Sequence, residues 1–519
     1  MNETVHSRPN GWVRTTLGEL NPGRNETVDP RKAPDEMFEL YSVPAFPTGR
    51  FEVLGGAEIG SSKQKVETGT VLLCGINPRI NRVWVVSESE GKRQIASTEW
   101  IAFKPKAGLV AKYLCYFLRQ DKVRDYLAGY ASGVGGSLMR VKGRTCADIE
   151  LPLAPSNEQA RIVSEIEKQF TRLDAAVGAL KRAQGNLKRY RAAVLKAAVE
   201  GRLVPTEAEL ARREGRPYEP ASELLKRILV ERRARWEAAQ LAKFRAAGKQ
   251  PKDDTWKAKY EELERLDSAK LPTLAEGWTC SPLGFVADLK GGLTKGQKRK
   301  ASEILLEVPY LRVANMQRGI LDLSEMKTIQ ATEEEITELR LFPGDVLFNE
   351  GGDRDKLGRG WIWESQIQEC IHQNHVFRAR LIPDTILPKF LSWFGNSVAQ
   401  RYFNDEGKQT TNLASLNMTK LSALPVPIPP FAEQGRIVIE VELRLSIIDE
   451  LKTEVEADLK RAERLRQAIL KRAFEGKLVP QDPGDEPASI LLNRIRAERE
   501  NAVLSARKTS SRREALHAH

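Results

Sequence analysis

Apolar residues in two long stretches of the chain recur at alternating steps of three and four. Within residues 158–200 the spacing lasts six turns or more, and it returns within residues 430–480. This pattern is typical of a coiled-coil seam, so we predict two long helices. Each follows a proline-containing stretch and should end at Gly201 or Gly476, and a 43-residue helix is about 65 Å long. The seam positions are Ile166, Phe170, Leu173, Val177, Leu180, Leu187 and Val194, then Val441, Leu445, Ile448, Val455, Leu459, Ala462 and Ile469, with Gln184, Arg191, Lys452 and Arg466 interrupting.

Neither helix can bury so narrow an apolar stripe alone. The simplest partner is the other helix of the same chain, because a seam needs a facing seam of matched length. We therefore predict an antiparallel pair related by a pseudo-twofold axis. Two separate hairpins, or a contact between two copies of the chain, remain as alternatives.

The chain contains an internal duplication. Residues 155–205 and 430–480 match at 20 of 51 positions at a constant offset of 275. Upstream, Gly11-Trp12 recurs as Gly277-Trp278, and downstream, residues 220–225 recur as 487–492. So long a period indicates a duplicated domain rather than a solenoid, whose repeats are shorter. The predicted boundaries are 1–154 (first domain), 155–235 (long and short helix), 236–275 (linker), 276–429 (second domain), 430–500 (long and short helix) and 501–519 (basic tail).

Two regions of low mutual similarity precede the long helices: residues 11–154, which we call head 1, and 277–429, which we call head 2. Both contain short apolar runs, at 67–74 and 341–348, and then an amphipathic helix, at 112–120 and 389–397. Mixed strands and helices indicate an α+β unit. The predicted fold class is therefore α+β, with two mixed α/β domains joined by a pair of long antiparallel coiled-coil helices.

The charge of the chain favours a polyanionic partner. The formal net charge is +12 and the sequence pI is about 9.3, and neutralising phosphates releases counterions and adds affinity. A merely basic protein is the alternative that charge alone leaves open.

Each head ends with a polar loop suited to contact DNA, at residues 132–137 and 407–412. Further candidates lie at 63–65, 77–82 and 315–318, and in a basic, glycine-rich loop at 351–359 that could equally be an ordinary hairpin loop. Glycines let the backbone approach phosphates, Arg and Lys pair with phosphate or guanine, and Asn and Gln pair with adenine. Ordinary solvated loops are the alternative, but the equivalent placement in both copies favours DNA. The candidates in head 1 are Lys63, Lys65, Arg79, Asn81, Arg82, Ser132, Gly135, Gly136, Ser137, Arg140, Lys142 and Arg144. Those in head 2 are Asn315, Gln317, Arg318, Arg354, Lys356, Arg359, Lys408, Gln409, Thr410, Thr411, Asn412, Asn417 and Lys420.

The sequence offers little for catalysis or metal binding. Its five cysteines are scattered, so a disulfide framework or zinc site is not expected, and reduced thiols fit a cytoplasmic protein. His372 and His375 lie three apart in an apparent strand, hence on opposite faces, and we expect a buried or structural role. We find no nucleotide-binding loop, methyltransferase motif or nuclease cluster, and we expect no signal peptide or membrane helix. A recognition component is the simplest reading.

The layout resembles the specificity subunit of Type I restriction-modification systems over nearly the whole chain. The resemblance rests on the GW…LG openings, the junctions LPLAPSNEQARIV and PIPPFAEQGRIV, the duplicated long helices and their LKxAxEGxLVP exits. The first junction departs slightly, with Ala154-Pro155 where the second has Pro429-Pro430.

This resemblance implies a protein without catalytic residues. Its two target recognition domains would each read half of a split, asymmetric site on double-stranded DNA, and the helical pair would fix the gap between the halves. Two methyltransferase subunits and restriction/translocase subunits would be partners, and S-adenosylmethionine, ATP and Mg²⁺ would belong to them rather than to this chain. The rival interpretations are a non-DNA-binding scaffold with two variable protein-binding domains, and an enzyme whose site is unrecognised.

Overall fold

The structure is a computed structural model that describes residues 9–20, 26–105, 108–133, 139–251, 253–260, 273–296, 299–300, 302–409 and 414–500, without the side chains of residues 408 and 409. The contacts divide the chain into two compact units. Unit 1 combines Met1–Arg182 with Val455–His519, and unit 2 is Ala183–Glu454. Each unit therefore contains one head and part of both long helices.

The two long helices extend over Ser156–Val199 and Phe431–Phe474. Both end as predicted, because Gly201 and Gly476 each take a left-handed conformation with φ of 69°, which glycine adopts without steric cost. The backbone N–H of the next residue then bonds five residues back, Arg202 to the Ala197 carbonyl and Lys477 to that of Arg472, at 2.8 Å each. This is the Schellman ending of a helix.

The long helices contact each other inside both units through equivalent residues. In unit 2, Arg191 of the first helix pairs with Asp449 of the second at 2.8 Å. In unit 1, Arg466 of the second pairs with Asp174 of the first. The offset of the duplication relates Arg191 to Arg466 and Asp174 to Asp449, so one pair occurs twice with the helices exchanged. The predicted seam is inward, with Ile166, Val194, Val441, Ile448 and Ile469 buried.

The described residues of head 1 form three sheets and four short α-helices. A two-stranded sheet joins its first strand to its last, Val13–Thr16 with Glu150–Leu153. The second sheet has five strands, in the order Thr27–Val28, Lys63–Lys65, Arg93–Ala96, Met37–Tyr41, Glu52–Gly55. The third sheet has three strands, in the order Val83–Val85, Val71–Cys74, Trp100–Phe103. The helices are Leu17–Leu20, Ala111–Leu118, Asp121–Gly129 and Gly143–Ala147.

Head 2 resembles head 1 in the pairing of its first and last strands and differs from it in the other sheets. Its first and last strands also pair, Thr279–Pro282 with Pro425–Ile428. Two further sheets have three strands each, in the orders Ala287–Lys290, Val376–Leu381, Val346–Asn349 for the first and Lys327–Ala331, Leu306–Leu311, Ile371–His372 for the second. Met316–Gln317 pairs with Ile320–Leu321 in a two-stranded sheet. The last sheet has the order Gly351–Gly352, Ala414–Ser415, Lys408–Gln409. The helices are Leu283–Val286, Glu333–Leu339, Pro388–Gly395, Ala399–Glu406 and Met418–Ser422. The amphipathic helices predicted in both heads are therefore present, as Ala111–Leu118 and Pro388–Gly395.

The segment after each long helix packs on the head of the opposite copy. We call residues 201–225 and 476–492 the exit segments. In unit 2, the Ala221 backbone N–H bonds to the Gly277 carbonyl at 2.9 Å, and in unit 1 that of Ala488 bonds to Gly11 at 2.8 Å. Each unit is thus completed by the exit segment of the other copy.

The helix that begins within the first exit segment is longer than the sequence predicts. Helices Glu207–Glu214 and Ala221–Ala246 form there, and the second continues beyond residue 235 into the expected linker. Trp236 and Phe244 on this helix pack against Trp256 of the short turn Thr255–Lys259. A helix from 488 to 500 follows the second exit. The added length has a physical reason, because these aromatic contacts bury surface that a free linker would expose.

Candidate nucleic-acid interface

In head 1 the structure brings two of the predicted DNA-contacting segments together. Beyond strand Val71–Cys74 the chain continues to Ile76, which forms a β-bridge with Arg140, and Arg140 forms a second bridge with Ser132. The Asn77 N–H also bonds to the Met139 carbonyl at 2.8 Å. The turn after residue 76 and the polar loop around residues 132–144 are therefore neighbours, although they are far apart in the sequence.

The turn after Ile76 is a short 3₁₀ helix, Pro78–Ile80, between two left-handed asparagines. Asn77 and Asn81 have φ of 48° and 47°, a region that asparagine tolerates better than most residues. Arg79 at this turn is exposed, while Arg82 is partly buried, with its guanidinium 3.9 Å from Cys74 Sγ. The turn is thus held in one shape and presents Arg79 to solvent.

The basic residues that follow the loop in head 1 differ in their contacts with the rest of the protein. Arg140 pairs with Glu99 at 2.8 Å, whereas Lys142 and Arg144 are exposed at the start of helix Gly143–Ala147. Ser132 is also exposed. The predicted contacts Gly135, Gly136 and Ser137 lie outside the described residues.

Lys63 and Lys65 belong to a different sheet from the other candidates of head 1. Lys65 pairs with Glu26 at 3.3 Å, and Lys63 donates to Ser61. Burial and then the nearby Arg31 charge lower the pKa of Lys63. Within the described ranges, no hydrogen bond or ion pair joins either lysine to the turn or the loop, so the structure does not bring them into the same cluster.

In head 2 the glycine-rich loop and the polar loop also meet. Gly351–Gly352 pairs with Ala414–Ser415, which pairs with Lys408–Gln409. The predicted loop 407–412 therefore begins as one arm of a β-hairpin. Thr410, Thr411 and Asn412 lie outside the described residues, as do the side chains of Lys408 and Gln409.

One backbone hydrogen bond of this cluster occurs at equivalent positions in both heads. The Val141 N–H bonds to the Gly75 carbonyl at 2.9 Å, and the Leu416 N–H bonds to the Glu350 carbonyl at 2.8 Å. The offset that relates the long helices also relates Gly75 to Glu350 and Val141 to Leu416. A 3₁₀ turn follows in each head, Pro78–Ile80 or Arg354–Lys356. One backbone frame thus carries different side chains in the two heads.

Three basic residues lie in or next to the turn of head 2. Arg354 is exposed, and Lys356 pairs with Asp353. Arg359 is partly buried, and burial lowers the pKa of its guanidinium. Of the three, Arg354 resembles Arg79 most closely as an open cation.

Two of the candidate asparagines in head 2 have hydrogen-bond partners within the protein. Asn315 is 3% exposed, its Oδ1 accepts from the Arg312 N–H at 2.9 Å, and its Nδ2 donates to the Asp322 carbonyl at 2.7 Å. Asn417 caps helix Met418–Ser422 by accepting from the Lys420 N–H at 2.8 Å. Both amides have backbone partners in the protein: Asn315 is buried and bonded through both its oxygen and its nitrogen, whereas Asn417 uses its oxygen as a cap and is exposed.

Arg318, Gln317 and Lys420 make contacts within the protein as well. Arg318 donates to the Asn396 carbonyl at 3.0 Å and to the Asp355 carbonyl at 2.6 Å, and burial lowers its pKa. Because Asp355 lies in the turn Arg354–Lys356, this hydrogen bond from Arg318 helps to hold the turn. Gln317 donates to the Ala314 carbonyl at 3.2 Å, and the Lys420 side chain pairs with Glu406.

The two histidines do not share a strand, which corrects the sequence interpretation. Strand Ile371–His372 ends before a turn, and strand Val376–Leu381 begins after His375. His372 is buried and shares a 2.6 Å hydrogen bond with the Val376 carbonyl through Nδ1, and burial lowers its pKa to about 4. His375 is exposed and pairs with Glu350 at 2.5 Å. The expected buried role is therefore correct for His372.

Sequence reasoning found the repeated Glu-Gln junctions but not what they bind. The Trp12 indole N–H donates to Glu158 at 2.9 Å, and that of Trp278 donates to Glu433 at 2.8 Å. The repeated Gly-Trp openings and Glu-Gln junctions were the available signal, since two elements that recur together often contact each other. These contacts hold each head on its long helix.

Three further observations concern metal ligands, membrane helices and cysteines. Among the described residues, no cluster of three or more His, Cys, Asp or Glu side chains could hold a metal ion. No helix within the described ranges combines the length and apolar character needed to cross a bilayer. All five cysteines are free thiols.

Comparison with known proteins identifies related sequences. Residues 275–461 match the model of the Type I restriction modification DNA specificity domain. The chain is 23% identical to the Type I restriction enzyme EcoKI specificity subunit of Escherichia coli K12, over 79% of this chain and 76% of that protein. It is 24% identical to the EcoDI specificity subunit of Escherichia coli, over 97% and 98% of the two chains.

A solved structure has the same fold. The crystal structure of the HsdS subunit from Thermoanaerobacter tengcongensis aligns with a TM-score of 0.52 at 18% identity, covering 92% of this chain and all of that one. The chain therefore has an HsdS-like fold of mixed helices and strands.

Proposed function

Since the chain belongs to the family of Type I restriction-modification specificity subunits, we propose that it recognises DNA for such a system. Each head reads one half of a bipartite, asymmetric site, and the chain has no catalytic site of its own. The observation that carries this proposal is the shared frame of the two heads. A backbone hydrogen bond at equivalent positions, Val141 to Gly75 and Leu416 to Glu350, lies shortly before turns of different composition, Pro78–Ile80 and Arg354–Lys356.

Different side chains on one frame suit an asymmetric target. Sequence is read by contacts to base edges, while phosphate contacts position the protein. An exposed arginine occurs at each turn, Arg79 or Arg354, and arginine can contact phosphate or guanine. The remaining turn residues differ between the heads, which supports different half-sites.

The long helices set the gap between the half-sites in this proposal. Their reciprocal pairs, Arg191–Asp449 and Arg466–Asp174, support an antiparallel pair with pseudo-twofold symmetry. Helices of 44 residues are about 66 Å long, and a rigid link allows the second head only a narrow range of spacings.

We place the methyltransferase partner on an apolar stripe of the second long helix. Ile439, Leu443, Ile447 and Leu451 recur every four residues and are between 43% and 69% exposed. Residues four apart lie on one helix face, and a continuous exposed apolar face marks a protein interaction site. In the first copy, the equivalent positions are Ser164, Lys168, Arg172 and Ala176.

The stripe makes the two partner positions chemically unequal. Two methyltransferase subunits bind the chain in this proposal, one of them on the apolar stripe, and restriction/translocase subunits join them. S-adenosylmethionine, ATP and Mg²⁺ then belong to those subunits, which supply the chemistry.

The proposal is tested by selecting DNA from a random duplex library. The full chain is used with and without its methyltransferase subunits, and bound DNA is sequenced. Enrichment of two short motifs at a fixed spacing supports the proposal. Binding of protein partners without any DNA selectivity would instead identify a scaffold, and modification or cleavage of DNA by the chain alone would identify an enzyme.

A further inference from the structure

An exposed apolar side chain lies in the turn of the candidate interface in head 1. Ile80, at the end of turn Pro78–Ile80, is 54% exposed. Arg79 beside it is exposed too, and the turn is hydrogen-bonded to the loop that carries Arg140. A large aliphatic side chain among cations is unusual for a surface that binds phosphates alone.

The protein holds this turn firmly. Asn77 and Asn81 bracket it in left-handed conformations, and the Ile80 N–H bonds to the Asn77 carbonyl at 3.1 Å. Helix Asp121–Gly129 packs against the turn. Residues in sparsely populated backbone regions persist where the surroundings determine them, and such residues cluster at ligand-binding sites.

A second exposed apolar side chain lies where that supporting helix ends. Tyr130 follows the helix directly, is 61% exposed, and has its ring 4.7 Å from that of Tyr126. It stands two residues before Ser132, the start of the polar loop. The interface of head 1 thus combines apolar and cationic side chains.

Head 2 offers a built-in comparison. Its turn Arg354–Lys356 occupies the equivalent place in the frame and consists of charged residues. The frame therefore does not require an apolar residue at this turn, and its packing does not explain Ile80, which is mostly exposed. A ligand with an apolar group gives Ile80 a role.

We propose that Ile80 reads the 5-methyl group of one thymine in the major groove of the half-site bound by head 1. This inference rests on the proposed DNA recognition and adds a specificity-determining residue to it. Thymine is the base that presents a methyl group in the major groove, and apolar side chains recognise it by direct contact. The aliphatic side chain of Ile80 reads the base, while Arg79 contacts phosphate.

The test replaces the thymines of that half-site with deoxyuridine, one at a time, and measures binding by the complex with its methyltransferase subunits. Deoxyuridine lacks only the methyl group. At one position we expect wild-type affinity to fall about fourfold, because burying one methyl group contributes on the order of that factor. In Ile80→Ala, the same replacement should change affinity less than twofold.

The matched control is Val53→Ala. Val53 is also an exposed aliphatic residue of head 1, but it lies on the edge strand Glu52–Gly55 of the five-stranded sheet. This variant should keep the full methyl dependence. A wild-type complex indifferent to every deoxyuridine replacement, or an Ile80→Ala complex that keeps the dependence, overturns the assignment of Ile80. Absence of any selected DNA motif instead overturns the proposed function itself.

Discussion

Buried hydrogen bonds from tryptophan to glutamate join each head to its long helix, but the two copies differ in one detail. Glu433 Oε1 accepts from the Trp278 indole at 2.8 Å, and its Oε2 accepts from the Glu207 backbone N–H at 2.7 Å. Glu158 accepts from Trp12, while its Oε1 is buried without a hydrogen-bond partner. Burial raises the pKa of both carboxyls. The glutamate of the Trp–Glu pair therefore accepts two hydrogen bonds in unit 2 and one in unit 1, and we expect its substitution to have different effects in the two units.

Glu433→Gln should destabilise the chain more than Glu158→Gln. In unit 2, the glutamine side chain replaces one of the two accepting oxygens with an NH₂ group that cannot accept. Either the Trp278 indole N–H or the Glu207 backbone N–H then loses its acceptor, at a cost of about 1–3 kcal/mol. In unit 1, the amide oxygen can still accept from Trp12. Chemical denaturation of both variants measures the difference, and equal losses would contradict it.

His372 should make stability depend on pH. Its folded pKa is about 4, below the ordinary value near 6.5, because burial disfavours the charged ring. Between these values the unfolded chain binds a proton that the folded chain does not. The contribution is therefore complete above about pH 6.5 and is lost as the pH falls toward 4, amounting to about 3 kcal/mol.

The variant His372→Asn supplies an amide N–H in place of the ring N–H and has no titrating group. Its free energy of unfolding relative to wild type should improve as the pH is lowered from 7.5 to 4.5. Denaturation curves of both proteins at several pH values provide the measurement. A constant difference between the two proteins would show that His372 does not titrate with the expected shift.

At the scale of elements, periodicity predicted the long helices almost to the residue. Their seam, their glycine ends and the amphipathic helix Ala111–Leu118 depend on local spacing, which sequence records directly. The bridge from Ile76 to Arg140 does not, because it joins segments distant in sequence through a register that no local pattern encodes. The backbone partners of Asn315 were not predictable for a related reason, because an amide that could pair with adenine equally suits the three backbone groups that it contacts here.

The apolar stripe should control partner binding. The double variant Leu443→Ser with Ile447→Ser should weaken binding of the methyltransferase subunits at least tenfold, since burying each leucine or isoleucine contributes about 1.5–3 kcal/mol. Both side chains are exposed, so the fold should not suffer.

The matched control is Lys168→Ser with Arg172→Ser, at the equivalent positions of the first copy. Titration calorimetry of each variant with the methyltransferase subunit compares the two faces. Equal effects of the two double variants would contradict the unequal partner positions.

At the scale of the whole molecule, the proposed function assigns DNA recognition to the heads and the spacing of the half-sites to the long helices. Inserting four residues in the middle of both long helices, in step, should change the permitted gap between the half-sites. The half-site sequences should stay unchanged, because the frames around Gly75 and Glu350 are untouched. Selection from a random library reads both properties at once, and altered half-site letters would contradict this division.

The exchange of exit segments between copies has a consequence for how such a chain could arise. Gly11 bonds to Ala488 and Gly277 to Ala221, so one copy alone would lack the piece that completes its own head. Two half-length chains could supply that piece to each other and assemble as a symmetric dimer. Fusion of two such genes would then free each half to diverge. Under the proposed function, a dimer that binds a palindromic site would become a single chain with two different half-sites.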